Sequence, residues 1–133
     1  MRILSLVLKC FSPVFLVVAL LHLVFGLNAD ALLGAKVSPE AAADPSLDSQ
    51  NRFYGVAFAL YGVVLYLCAR DLRRYEAFFK AALGVFFCGG AARLVSWATH
   101  GAPAPLVVAL ALSELLIPPL LLIWYARVKH EAC

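Results

Sequence analysis

The chain has 133 residues, 64% of them hydrophobic and 14% charged, with a formal net charge of +3. A soluble domain carries about 25% charged residues, so this composition, with a mean hydropathy of +0.90, points to an integral membrane protein. The length allows a single domain, residues 1–133. Lys and Arg stand in short groups between apolar runs, not in a stripe interleaved with aromatics, which excludes a surface that tracks nucleic acid.

Four spans follow in chain order, at residues 3–27, 52–69, 78–98 and 104–125. Each is close to the length of about 20 apolar residues that crosses hydrocarbon, and together they predict an all-α fold, an integral membrane four-helix bundle. Trp97, Trp124, Tyr125, Phe53, Tyr54 and Tyr75 fall near span ends, where aromatic rings sit at headgroup level. The first span follows Arg2 and Lys9 and precedes an A-x-A match at Ala29-Asp30-Ala31. Its length and His22 set it apart from a cleaved signal segment, and it is expected to be retained.

Between the first two spans lies the one long connection, with Pro39 and Pro45 as breakers and acids at Asp30, Glu40, Asp44 and Asp48. Residues 31–35 could form a short interfacial turn, and Ser46 or Asp48 is placed to cap the second span. The segment reads either as a solvated connector or as a lid. Positive charges set the orientation. Arg2, Lys9, Arg70, Arg73, Arg74, Lys80, Arg127 and Lys129 flank the termini and the short middle link, whereas the other two connections contain only Lys36. The positive-inside rule then puts both termini on the cytoplasmic side.

Two charges stand inside the spans. A charge at mid-bilayer costs at least about 2.5 kcal/mol, so Arg93 and Glu114 call for an explanation. At about 1.5 Å per residue, Arg93 lies roughly 12 Å and Glu114 roughly 13 Å inward from the same side. Their spans are consecutive and tightly linked, hence antiparallel neighbours, and an ion pair is geometrically easy. Pro118 cannot donate to the Glu114 carbonyl, nor Pro119 to that of Leu115, which predicts a bend and two released acceptors beside the carboxylate. The five donors of Arg93 could meet part of that need.

Other polar residues sit at similar depth. His22 is near the end of span one, Asn51 and Arg52 open span two beside Tyr54, and Gly89, Arg93, Ser96, Trp97 and His100 recur on one face of span three. Gly55, Ala59 and Gly62 form a small-residue face, and Gly89 and Gly90 are packing positions on span three. The expected assembly is a bundle whose polar pocket opens outward, with His22, Asn51, Arg52, Tyr54, Ser96 and the two charges around it. The same residues have plainer roles: Arg93–Glu114 as a clamp, His22 as an interhelical bond, Asn51 and Arg52 as cap and anchor, and Ser96 bonded back to Ala92.

Cys10, Cys68, Cys88 and Cys133 form no C-x-x-C, so disulfides and zinc are not expected; Cys10 or Cys68 could be acylated. No phosphate loop, dinucleotide fingerprint or hydrolase motif occurs, and no cofactor or metal is implied. The segments DSQNRFYGVAFALYG, FFCGGAARLVS, the G-x-P at residues 101–103 and SELLIPPLLLIW resemble those of the domain-of-unknown-function-4345 family of small bacterial four-span membrane proteins. By that resemblance Asn51, Arg52, Tyr54, Gly55, Gly62, Gly89, Gly90, Arg93, Ser96 and Glu114 match the family pattern, which implies a topology but no established reaction.

Three functions fit these residues. One is a binding or accessory protein that takes a lipid, a quinone-like molecule or another small amphiphile into the pocket. Another is an intramembrane acid–base enzyme, such as a lipid isomerase, using Glu114 and His22. Arg93 would favour the ionised carboxylate and weaken it as an acid. The third is a structural subunit, in a homo-oligomer or a larger membrane complex, docked through the small-residue faces.

Overall fold

The computed structural model describes residues 1–130; Cys133 lies outside them. All regular structure among the described residues is helical: α1 (Arg2–Phe25), α2 (Asn28–Leu32), α3 (Pro39–Ala42), α4 (Pro45–Arg70), α5 (Glu76–His100) and α6 (Pro105–His130). Of these, α1, α4, α5 and α6 are long and apolar enough to cross a membrane. They pack as the expected four-helix bundle.

Local chemistry sets the boundaries. Gly26, at φ +54°, stops α1 and returns its N–H to the His22 carbonyl at 2.9 Å. A left-handed backbone suits glycine because it has no Cβ to clash. The short α3 starts at Pro39, with Ser38 Oγ accepting from the Ala41 N–H. The next helix begins seven residues before the expected Arg52, at Pro45. Asp44, rather than Ser46 or Asp48, is its cap, accepting from Ser46 and Leu47 N–H at 2.7 and 3.2 Å, and Pro45 occupies the first turn, where its missing N–H costs nothing. The polar run PSLDSQN thus reads as a loop by hydropathy but forms two helical turns. Pro118 and Pro119 do not interrupt α6, which runs on to His130.

Contacts at both ends show that neighbouring helices are antiparallel. Along α1 and α4, His22 meets Gly55, Ser12 Oγ donates to the Gly62 carbonyl at 2.8 Å, and Ser5 Oγ donates to the Ala69 carbonyl. The close approach depends on Gly55 and Gly62, where a Cβ would come within 3.0 Å of His22 Cβ and 3.1 Å of the Ser12 carbonyl. Between α4 and α5, Tyr61 donates to the Ala82 carbonyl at 2.6 Å. Gly90 on α5 faces Glu114 on α6, and Glu76 faces Lys129.

Packing is uneven along the bundle. Near the short α4–α5 link, Leu4, Leu8, Leu65, Cys68, Phe79, Leu83, Leu121 and Tyr125 form one buried cluster. Tyr125, expected at a span end, is 2% exposed. It stands edge-on to Phe79 with ring centroids 5.3 Å apart, because α6 continues more than a turn beyond it. Towards the opposite, long-loop end the two helix pairs separate. Beyond Gly90, α5 has no buried residue, and Arg93 alone is half-buried. A cleft opens there between α4 and α5.

Candidate functional site

Arg93 and Glu114 meet at the side of this cleft. Arg93 Nε donates to Glu114 Oε2 at 2.7 Å, and Glu114 is 7% exposed. Glycines one turn before Arg93 make the seat. At Gly90 a Cβ would lie 2.9 Å from Leu115 Cγ and 3.0 Å from Glu114 Cβ, whereas at Gly89 it would lie 3.9 Å from the carboxylate. Gly90 therefore lets α6 press close enough to present Glu114, and Gly89 keeps open the space in front of it. Pro118, also buried, follows one turn later and withholds the usual donor from the Glu114 carbonyl.

The cleft encloses about 320 Å³. Tyr54, Phe58 and Tyr61 of α4, spaced at one-turn intervals, form one wall. Phe86, Gly89 and Arg93 of α5 form the other, with Phe15 of α1 at the base. Phe15 lies 4.7 Å from Tyr61 and 5.6 Å from Phe86, centroid to centroid. These tilted and edge-on arrangements are the ones aromatic quadrupoles favour. Apart from Nε–H, the donors of Arg93 have no protein acceptor among the described residues. The result is a charge-compensated pair in an apolar, aromatic cleft, with guanidinium donors to spare.

His22, Asn51 and Arg52 are not in this lining. They form a second cluster at the long-loop end of α1 and α4. His22 Nδ1 bonds the Val18 carbonyl at 2.8 Å, and Nε2 lies 3.5 Å from Asp30 Oδ1. Asn51 Nδ2 donates to Asp30 Oδ2 at 2.6 Å. Arg52 donates to Asp48 Oδ2 at 2.7 Å and to the Leu23 carbonyl, where α1 ends with unpaired acceptors. Asp48 in turn accepts from the Leu27 N–H at 3.3 Å. Arg52 thus staples the start of α4 to the end of α1, and Asn51 ties it to α2. Ser96 lies on the exposed face of α5 outside the cleft, and its hydroxyl makes no bond to Ala92 among the described residues.

A family model described as "Domain of unknown function (DUF4345)" matches residues 3–125. The chain belongs to the DUF4345 family. The matched region covers the four long helices almost entirely, including both charges and the glycine seat. No curated protein and no solved structure matches the chain.

In this DUF4345 chain the expected site residues divide between two places. Tyr54, Gly89, Gly90, Arg93 and Glu114 belong to the cleft and its seat; His22, Asn51, Arg52 and Gly55 belong to the α1–α4 junction, with Gly62 further along the same seam. One residue joins the two groups: Phe58 lines the cleft and stacks on His22, with centroids 5.9 Å apart and planes at 25°. Asp30, a loop acid by sequence, and Asp48, a cap candidate by sequence, complete the junction and lie outside the site the sequence predicts, as does the aromatic wall. Positions 54, 58 and 61 share one helical face, but nothing in the sequence separates that face from a lipid-facing one. At the other end of the bundle Glu76 holds Lys80 and Lys129, each at 2.7 Å, and ties α5 to α6.

Proposed function

We propose that this protein is a multi-pass membrane protein with both termini cytoplasmic, in a bacterial inner membrane, and that the α4–α5 cleft binds a small neutral amphiphile. The single observation that carries this reading is the set of unengaged Arg93 donors facing an aromatic cleft of about 320 Å³. That volume is at the small end of ligand pockets, which are typically apolar with a few convergent polar groups.

Charge narrows the ligand. Glu114 already compensates Arg93, so a second anion would meet the carboxylate and a cation would meet the guanidinium. A neutral acceptor, such as a carbonyl, ester or hydroxyl oxygen, can take the spare N–H groups without either penalty. The ligand's apolar part would lie against Phe58, Tyr61 and Phe86 and extend through the open side into lipid. The separation of His22 from Glu114 by the Phe58 ring favours binding over acid–base catalysis, which would need the two groups to share a substrate.

A second role, as an accessory subunit, is favoured by the exposed small-residue line Gly84, Cys88, Ala92 and Ser96 on α5, where a Cβ on Gly84 would meet no atom within 4 Å. Native mass spectrometry of the protein extracted from membranes tests both readings together. The binding reading expects a retained amphiphile that is lost in Gly89→Leu, a substitution that fills the cleft, while melting does not fall. Wild-type protein without adducts, or adducts equally retained by Gly89→Leu, would count against it. A defined dimer or hetero-complex would support the accessory role.

A further inference from the structure

The junction beside the cleft contains a hydrogen-bonding conflict that one proton resolves. The Val18 carbonyl can only accept, so His22 Nδ1, 2.8 Å away, must carry hydrogen. In the neutral ring Nε2 is then a bare lone pair, and it faces Asp30 Oδ1 at 3.5 Å. Two acceptors would confront each other beside a histidine that is 5% exposed. Asp30 cannot turn away without losing Asn51, whose Nδ2 holds its other oxygen at 2.6 Å. Asn51 is itself 7% exposed, and its Oδ1 already lacks a partner. A metal ion is a poor substitute for the proton, since no group of three His, Cys, Asp or Glu side chains among the described residues could hold one.

We infer that His22 and Asp30 share a single proton and act as a pH-dependent latch joining α1, α2 and α4 at the long-loop end. With the proton present, an imidazolium–carboxylate pair, or its neutral equivalent, satisfies both groups. Without it, the contact between α1 and α2 becomes repulsive. Asp30 is about one-third exposed, at 35%, and apart from Asn51 no protein group around the pair donates to it among the described residues. From α2 comes Asp30; from α4 come Asn51, the Phe58 ring and, nearby, the Asp48–Arg52 pair, which is engaged with itself and with the end of α1. Across Phe58 lie Arg93 and Glu114, paired with each other. Because Phe58 is shared, release of His22 loosens one wall of the cleft. This last step rests on the ligand reading above; the latch itself does not.

The test is nitrogen-15 NMR of the His22 ring in lipid nanodiscs from pH 8 to 5, with hydrogen-exchange protection factors for the amides of Ala29, Asp30 and Leu33, for wild type and Asp30→Asn. In wild type, Nε2 should gain a proton as pH falls, and protection should rise roughly fivefold or more, the factor for one buried bond that is otherwise unmade. In Asp30→Asn the new amide can donate to the neutral Nε2 with no proton gained, while its oxygen still accepts from Asn51, so protection should already be high at pH 8 and should not rise on acidification. A ring that does not titrate, flat protection in wild type, or a pH-dependent rise surviving in Asp30→Asn would overturn the latch. Amphiphile retention by native mass spectrometry at both pH limits separates the two ideas. Retention that is unchanged while the latch titrates overturns the coupling to the cleft, and no retention at either limit overturns the ligand reading alone.

Discussion

Substituting alanine at Gly89 and at Gly90 separates the two jobs these adjacent residues perform. A new Cβ at Gly90 would lie 2.9 Å from Leu115 Cγ, 3.0 Å from Glu114 Cβ and 3.2 Å from the Glu114 carbonyl carbon. Leu115 can rotate, but the Glu114 atoms belong to or adjoin the α6 backbone, so the helices must part by a few tenths of an ångström. Overpacking of this kind costs about 1–3 kcal/mol. At Gly89 the nearest atom is 3.9 Å away, an ordinary contact. Both variants gain the same helix propensity, about 1 kcal/mol for Gly→Ala, so their difference isolates the contact. Gly90→Ala should therefore be less stable than Gly89→Ala by about 1–3 kcal/mol, measured by reversible detergent unfolding in mixed micelles. Equal stability, or the reverse order, would refute the close α5–α6 seat.

The ion pair makes its own prediction. Arg93→Ala leaves the largely buried Glu114 unpaired and should cost about 3–5 kcal/mol, whereas Arg93→Met with Glu114→Leu should recover most of that loss; unchanged unfolding of Arg93→Ala would show that the pair holds nothing together. Gly26 and Gly101 both have positive φ, +54° and +90°, with ψ of −134° and 179°, and alanine at either should cost about 1–3 kcal/mol in backbone strain. At Gly26 the added Cβ would also coincide with the Asp48 carboxylate, while at Gly101 it meets nothing. Gly26→Ala should thus be the more damaging in the same unfolding assay, and parity between the two would contradict the described junction.

Hydropathy was enough to read the four long helices, because each must be apolar over most of its length. It failed where a helix leaves the apolar region: the turns from Pro45 to Asn51 are polar yet helical, held by the Asp44 cap and by pairing with α1. The Arg93–Glu114 contact was legible from equal depth on consecutive antiparallel spans. The grouping of His22, Asn51 and Arg52 with that pair was not, since sequence spacing gives depth along a helix but not which neighbour the helix turns toward. Here these residues face the α1–α4 seam, and the charges face the α5–α6 seam. Asp30 was hidden because a loop acid has no periodicity to betray a buried partner. Phe58, Tyr61 and Phe86 were masked by their own hydrophobicity, which reads as lipid-facing until packing shows which of them line a cavity.

The location of the ligand is the central claim, and photocrosslinking tests it most directly. A neutral photoreactive amphiphile with a carbonyl head, added to the protein in proteoliposomes and mapped by peptide mass spectrometry, should label Tyr54, Phe58 and Phe86. Labelling there should disappear in Gly89→Leu. Labels spread over lipid-facing positions such as Val17, Leu20 and Leu120, or labelling of the cleft that Gly89→Leu leaves intact, would contradict the account.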